Sequence, residues 1–270
     1  MPPASLPLAL SVGCPSGIGP EIAVRALALY QRPLVLVGDR RQLVELARAY
    51  GVPLDPAMVL QPGPALLARD RRPGRPGPAA GAAQLAWVDA ALDLVRSGRA
   101  RALVTGPVSK AAIAASGAPG ADSFRGHTEH LRDRCGASEV VMAFWSPKLV
   151  SSLVTTHLPL ARVPRAVRPG NVAAAAFWLA WLLTRLRPER PARVAVAALN
   201  PHAGEGGLLG DEERTRIAPA LALAEKRAAE VGVRASFTGP LGAETAFRHA
   251  REGRYDGVVA MYHDQATIAL

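Results

Sequence analysis

What most constrains this chain is a unit it uses repeatedly: a short run of small and β-branched apolar residues, cut by glycine or proline, then a helix start. The fullest copy runs from Ala192 to Glu213 and reads ARVAVAALNPHAGEGGLLGDEE. Val194 to Leu199 has the composition of a buried strand, and Asn200-Pro201 stops it. Gly204, Gly206 and Gly207 allow positive φ and close approach to a ligand, while Asp211, Glu212 and Glu213 suit the positive N-terminus of a following helix. His202 therefore stands at a strand's carboxyl end, in the kind of βα turn where open α/β sheets bind their ligands.

The same grammar runs along the chain. Ala9 to Val12 is a strand, GCPSGIGPE is its turn, and Pro20 opens a helix that reaches about Tyr30. Gly13, Gly17 and Gly19 are not spaced G-x-G-x-x-G, so this turn is not a dinucleotide fingerprint. Leu34 to Val37 is a second strand, Asp39 caps a helix through Ala49, and Gly51 ends it. Gln61 to Gly81, rich in Pro, Gly, Ala and Arg and without a period, reads as a mobile connection. A helix from about Ala82 to Arg96 leads to the strand Ala102 to Val104 and to TGPVSK, where Pro107 opens a helix carrying Lys110. Thr238-Gly239-Pro240 repeats that turn after the strand Val233 to Phe237, and both turns are expected to offer free backbone N–H groups to a phosphate. Between them come strands Glu139 to Phe144 and Leu149 to Thr155, an amphipathic segment around Val163 to Val167, and helices from about Asn171 to Leu186 and Glu212 to Val231. A helix to about Arg251 follows, and a last strand, Gly257 to Met261, ends in YHDQ. This alternation predicts an α/β fold with a mainly parallel sheet and helices on both faces.

With 270 residues, 49% of them hydrophobic and 20% charged, the chain can bury a large core. No apolar run is long and charge-free enough to span a bilayer, and the start has no basic leader region, which points to a cytoplasmic protein without a membrane partner. Cys14 and Cys135 have no metal-ligand spacing. The net charge of +10 raises nucleic acid as a partner, but aromatics are only 5% and no basic run alternates with them, so none is expected. Of the 32 basic residues only Lys110, Lys148 and Lys226 are lysines. Lys110, placed after an anion-friendly turn, thus becomes a candidate catalytic side chain.

Three of the six histidines follow strands directly: His157 after LVSSLVTT, His202 after VAVAAL and His263 after GVVAMY. Three imidazoles with an open fourth position describe a catalytic metal site, and Asp264 can orient a ring or bind the metal itself. In RGHTEH, His130 reads as part of a helix start with Thr128 as its cap, whereas His127 precedes the helix and is free to face a ligand. His249, on an arginine-rich helix, reads as inert.

Taken in order, GCPSGIGPE, TGPVSK, FRGHTE, TTHLPL, LNPHAGEGG with its acidic pair, TGPLGAETAF and MYHDQ resemble the motif series of the 4-hydroxythreonine-4-phosphate dehydrogenase family. The resemblance implies an isocitrate/isopropylmalate-dehydrogenase-like fold over residues 1–270, a single unit of two subdomains meeting at a cleft. It implies a homodimer with a shared active site and a divalent metal (Zn, Mg or Co) on His157, His202 and His263, the last supplied across the dimer. His127 and Thr128 would contact the phosphorylated substrate. The activity implied is NAD-linked oxidation and decarboxylation of 4-phosphooxy-L-threonine in pyridoxal 5'-phosphate biosynthesis. Glu244, where the family has Asp, is a second catalytic candidate; no residue is assigned to NAD.

The chain also departs from the family, with Cys14 for an Asp and Ala266 for a Gly. It reaches Leu270 without the family's later Lys, Asn, Arg and histidine-glycine loop, which reads as a truncation and predicts metal binding with little NAD reduction. The alternatives are a shortened metal-binding homologue of weak or no activity, a dehydrogenase of a four-carbon sugar-acid phosphate, and a three-histidine metallohydrolase.

Overall fold

The computed structural model describes residues 6–30 and 32–270. The chain divides into two compact units, Met1–Ser138 and Glu139–Leu270, and the expected alternation resolves into one sheet in each.

The first unit runs β1 (Leu8–Ser11), α1 (Gly19–Leu29), β2 (Leu34–Val37), α2 (Arg40–Tyr50), β3 (Val59–Leu60), α3 (Pro78–Arg96), β4 (Ala102–Thr105), α4 (Lys110–Ala114) and α5 (His127–Cys135). Its strands lie in the order β3-β2-β1-β4, all parallel, with Leu8 opposite both Leu34 and Ala102. Leu36, Leu43 and Trp87 are fully buried in one core, each contributing roughly 1.5–3 kcal/mol on burial. Helix α2 has the ends its sequence predicts: Asp39 Oδ1 accepts from the Gln42 N–H at 2.8 Å, and Gly51 closes the helix at φ 64°.

The same carboxylate overturns the mobile reading of 61–81. Asp39 Oδ2 accepts from the buried Leu66 N–H at 2.8 Å, Ser16 Oγ donates to the Asp70 carbonyl at 3.0 Å, and the Gly74 N–H donates to the Ser16 carbonyl at 2.8 Å. The connection is therefore pinned along its length. Helix α3 begins at Pro78, earlier than its apolar period suggested, because proline suits the first turn. It then meets α4 at Gly81, where a Cβ would stand 1.9 Å from the Ala112 carbonyl oxygen.

The second unit runs β5 (Ala143–Trp145), β6 (Val150–Leu153), α6 (Val163–Ala166), α7 (Pro169–Leu186), β7 (Ala192–Ala197), α8 (Ala218–Glu230), β8 (Ala235–Leu241), α9 (Ala243–Arg251), β9 (Gly257–Ala260) and α10 (His263–Thr267). The strand order is β5-β6-β9-β7-β8, parallel except for the antiparallel edge strand β5. Period-2 alternation splits its core in two. Val194, Val196, Val259 and Met261 join α7 and α8 on one face, while Ala195, Ala197, Val258 and Ala260 join α9 on the other. Among the described residues no single helix is long and apolar enough to cross a membrane; half of the apolar α7 is buried in the core.

Two sequence expectations fail here. The strand expected at Glu139 to Phe144 is confined to Ala143–Trp145, because Glu139 takes the Trp178 indole N–H at 2.8 Å and pairs with Arg227 instead of entering the sheet. Thr238-Gly239-Pro240 lies inside β8, not at a helix start, and Gly239 is pressed so close to Val196 that a Cβ would sit 2.4 Å from its carbonyl oxygen.

Candidate active site

The β6–β9 ladder continues past the regular strands: the Thr155 N–H and Oγ1 both donate to the Met261 carbonyl, at 3.2 and 2.8 Å. That extension carries His157 and His263 side by side, with ring centroids 5.5 Å apart. His263 opens α10, and its Nδ1 lies 2.7 Å from Asp264 Oδ1, which leaves Nε2 as the outward nitrogen. Gln265, quoted in the sequence only as part of YHDQ, stitches two strand ends together. Its Oε1 accepts from the Met261 N–H at 2.7 Å, and its Nε2 donates to the Ala198 carbonyl at 2.8 Å.

His202 lies five residues beyond β7, in the turn Pro201–Gly207. The expected positive φ at Gly204, Gly206 and Gly207 is present, at 77°, 69° and 109°, but so is positive φ at His202, Ala203 and Glu205, at 51°, 54° and 45°. What seats this run is Glu213. Its carboxylate, nearly buried on a single π turn (Glu213–Ile217), accepts from the N–H groups of Leu199 and Asn200 at 2.8 and 2.7 Å and from Asn200 Nδ2 at 3.0 Å. The acidic pair serves the loop rather than a helix dipole; Glu212 likewise takes Asn200 Nδ2 at 2.7 Å, which holds its pKa down.

Among the described residues, no three His, Cys, Asp or Glu side chains gather closely enough to hold a metal. The structure thus brings His157 and His263 together and leaves His202 apart in its turn. Two imidazoles on one tetrahedral ion, at about 2.0–2.1 Å per nitrogen, have ring centres about 5 Å apart, so the observed pair fits two ligands of such an ion.

In the first unit the expected phosphate seat is occupied by the protein itself. The Cys14 N–H donates to the Pro107 carbonyl and the Gly106 N–H to the Ser11 carbonyl, both at 2.7 Å, and the Ser109 N–H donates to Gln84 Oε1 at 2.7 Å. Pro107 does not open the helix: Ser109 caps α4, and Lys110 is its first residue. Lys110 Nζ and Glu129 Oε2 converge on Gly126, where a Cβ would lie 3.5 and 3.2 Å from them. His127 is the first residue of α5, and Thr128 lies inside that helix rather than capping it.

His130 is structural, its Nε2 2.7 Å from Asp89 Oδ1. His127 Nε2, by contrast, is buried without a hydrogen-bond partner among the described residues. Burial first, then the charges of His130 and Lys110, lower the His127 pKa. The ring therefore stays neutral at pH 7. Because the unfolded ring binds its proton more readily, this group's contribution to stability is fully present above about pH 6.5, the unfolded value, and is lost as pH falls from there through the lower pKa of the folded ring. An NMR pH titration is expected to find His127 titrating below the free-imidazole range; a normal midpoint would refute the assignment.

Glu244 is exposed on α9, where Arg248 Nε donates to it at 2.8 Å and Thr245 Oγ1 at 3.2 Å. Those bonds lower its pKa and make it a weak proton acceptor, which argues against a general-base role. It lines a cavity of about 920 Å³ together with Phe247, Arg248, Tyr262, Asp264 and Gln265.

A pair of histidines at the carboxyl ends of parallel strands, with Asp264 and Gln265 lining a neighbouring cavity, defines an α/β enzyme of the kind that works at its strand ends. The chain belongs to the family of the pyridoxal phosphate biosynthetic protein PdxA, whose model matches residues 31–270. It is 40% identical over 273 residues to a 4-hydroxythreonine-4-phosphate dehydrogenase of Acidithiobacillus ferrooxidans, covering 96% of this chain and 79% of that one. A 4-hydroxythreonine-4-phosphate dehydrogenase structure from Klebsiella pneumoniae superposes with a TM-score of 0.82 at 32% identity, covering 98% of this chain and 83% of that one. A terephthalate 1,2-cis-dihydrodiol dehydrogenase from Burkholderia xenovorans LB400 is also similar, with a TM-score of 0.69, 32% identity, and coverage of 98% and 81%.

Proposed function

We propose that this chain is a dehydrogenase of 4-hydroxythreonine-4-phosphate in pyridoxal phosphate biosynthesis, working with a divalent metal and NAD as a homodimer. The observation that carries the reading is the His157–His263 pair at adjoining strand ends, with Asp264 fixing the tautomer of His263. His157 and His263 would hold a zinc, magnesium or cobalt ion, which would supply Lewis-acid chemistry for the substrate hydroxyl. His202 and a second copy of the chain are the sources of the remaining ligation, which fits the finding that the described residues of one chain gather no three ligands. Lys110 supplies a compact positive charge for the substrate phosphate, and the neutral His127 offers its unpartnered Nε2 to a substrate polar group, with Thr128 beside it. NAD is the hydride acceptor the reaction requires.

The decisive assay is NADH absorbance with purified protein, divalent metal and NAD. 4-Hydroxythreonine-4-phosphate is expected to raise it, whereas a four-carbon sugar-acid phosphate and a cis-dihydrodiol are expected to be poor substrates. A signal from either of the latter alone would move the substrate assignment, and phosphate release without NADH would point to a hydrolase.

A further inference from the structure

The strands that end at the histidines begin, at their other end, around a second polar cluster. Asp256 immediately precedes β9, and its side chain is 2% exposed. Arg187 Nη1 reaches its Oδ1 at 3.1 Å, Arg190 forks onto both oxygens, and the Arg193 backbone N–H donates to Oδ2 at 2.9 Å while its guanidinium also faces the carboxylate. These donors hold the Asp256 pKa well below the usual carboxylate range.

A carboxylate has about four lone-pair sites, whereas three guanidinium forks carry five N–H groups each, so Asp256 is saturated while most of the arginine donors are not. Beside them opens a cavity of about 350 Å³ that Lys148 and Arg251 also line. Neither of these has a carboxylate partner among the described residues, and Asp256 is the only acidic side chain in the lining. The nearby Glu252 is engaged by Arg248 and Arg254. Five positive charges against one negative charge therefore face a space of ligand size.

We propose that this cavity binds a small molecule carrying a diphosphate group, one phosphate on the Arg187–Arg190–Arg193 wall and the other on Lys148 and Arg251. Guanidinium forks match phosphate oxygens two at a time, which favours phosphate over a monodentate anion. Five cationic side chains around one carboxylate favour two linked phosphates over one. The arginine cluster lies at the amino-terminal edge of β6, β7 and β9, while Lys148 and Arg251 also line the larger cavity that reaches Asp264 and Gln265.

The test is isothermal titration of the full chain at near-physiological salt with inorganic pyrophosphate, ADP and orthophosphate. One saturable site per chain is expected for pyrophosphate, with orthophosphate at least about tenfold weaker. Equal affinity for ADP assigns free diphosphate chemistry, and tighter ADP binding assigns a nucleotide. The double variant Lys148→Gln/Arg251→Gln is expected to weaken pyrophosphate at least about tenfold without changing the thermal midpoint of the free protein, since neither side chain holds Asp256. Arg75→Gln, an exposed arginine of the other unit, is expected to change nothing. Should the double variant not fold, pyrophosphate must slow acetylation of Lys148 in the unmodified protein relative to the exposed Lys226. Absence of saturable binding, an unaffected double variant, equal loss in Arg75→Gln, orthophosphate as tight as pyrophosphate, or no selective protection of Lys148 would each overturn the proposal.

Discussion

Replacing His263 by alanine is expected to strip most of the bound divalent metal and to cut NADH formation at least about a hundredfold, while the fold survives. The two halves of that expectation have separate causes. His263 sits half-exposed at the first position of α10, and the elements around it are held by Gln265 and the Thr155–Met261 bonds, none of which uses the imidazole. Losing the ring should therefore cost no more than about 1 kcal/mol of stability, the scale of a surface change. Its loss takes one of the few imidazoles from the ion, and each ligand lost from so small a set weakens a divalent ion's binding strongly. His157→Ala should behave in the same way. Asp264→Asn keeps the ligand but loses the carboxylate that orients it, so its effect should be smaller, about tenfold in metal affinity. Elemental analysis of the dialysed variants, beside their thermal midpoints, makes the check. Full metal content in His263→Ala with a normal midpoint would place the metal elsewhere.

Much of this arrangement was legible because local chemistry and tertiary position coincide. A run such as VAVAAL is both a strand by composition and a two-faced core strand by its alternation, so the residue after its turn had to lie near a strand end. Asp39 and Gly51 could be read for the same reason, since caps act within three or four residues. What could not be read were the bonds that tie one turn to another. Gln265 reaches Ala198 across 67 residues, and Gln84 takes the Ser109 N–H across 25. The two Thr-Gly-Pro turns failed as phosphate seats on this account. Whether a turn's N–H groups are free depends on which other turn is pressed against it, and Gly13 against Pro107 is a contact that no local pattern announces. Lys110 and His127 were each singled out alone, but their convergence near Gly126 needed the fold.

The second large effect is expected at Glu213, which sequence reading assigned to a helix dipole. The 201–207 turn places three non-glycine residues, His202, Ala203 and Glu205, in the left-handed region, where a side chain costs roughly 1–2 kcal/mol per residue. Such a run persists only if something outside it over-determines the path. Glu213 does so by taking two backbone N–H groups just upstream, those of Leu199 and Asn200, and the Asn200 amide as well. Its carboxylate also lies so near Gly204 that a Cβ there would stand 2.8 Å from Oε2. In Glu213→Gln one acceptor oxygen becomes an NH₂ group, leaving a buried donor facing donors. At about 1–3 kcal/mol for each unpaired group, a total loss of roughly 2–4 kcal/mol is expected. Hydrogen exchange separates this from a general weakening. The Leu199 and Asn200 amides should lose protection far more than the β9 amides, which Glu213 does not touch. NADH formation should fall with them, because the turn that presents His202 is released. Unchanged protection at Leu199 and Asn200 in Glu213→Gln would mean that the left-handed run holds itself, and that the glycines alone account for the path of the loop.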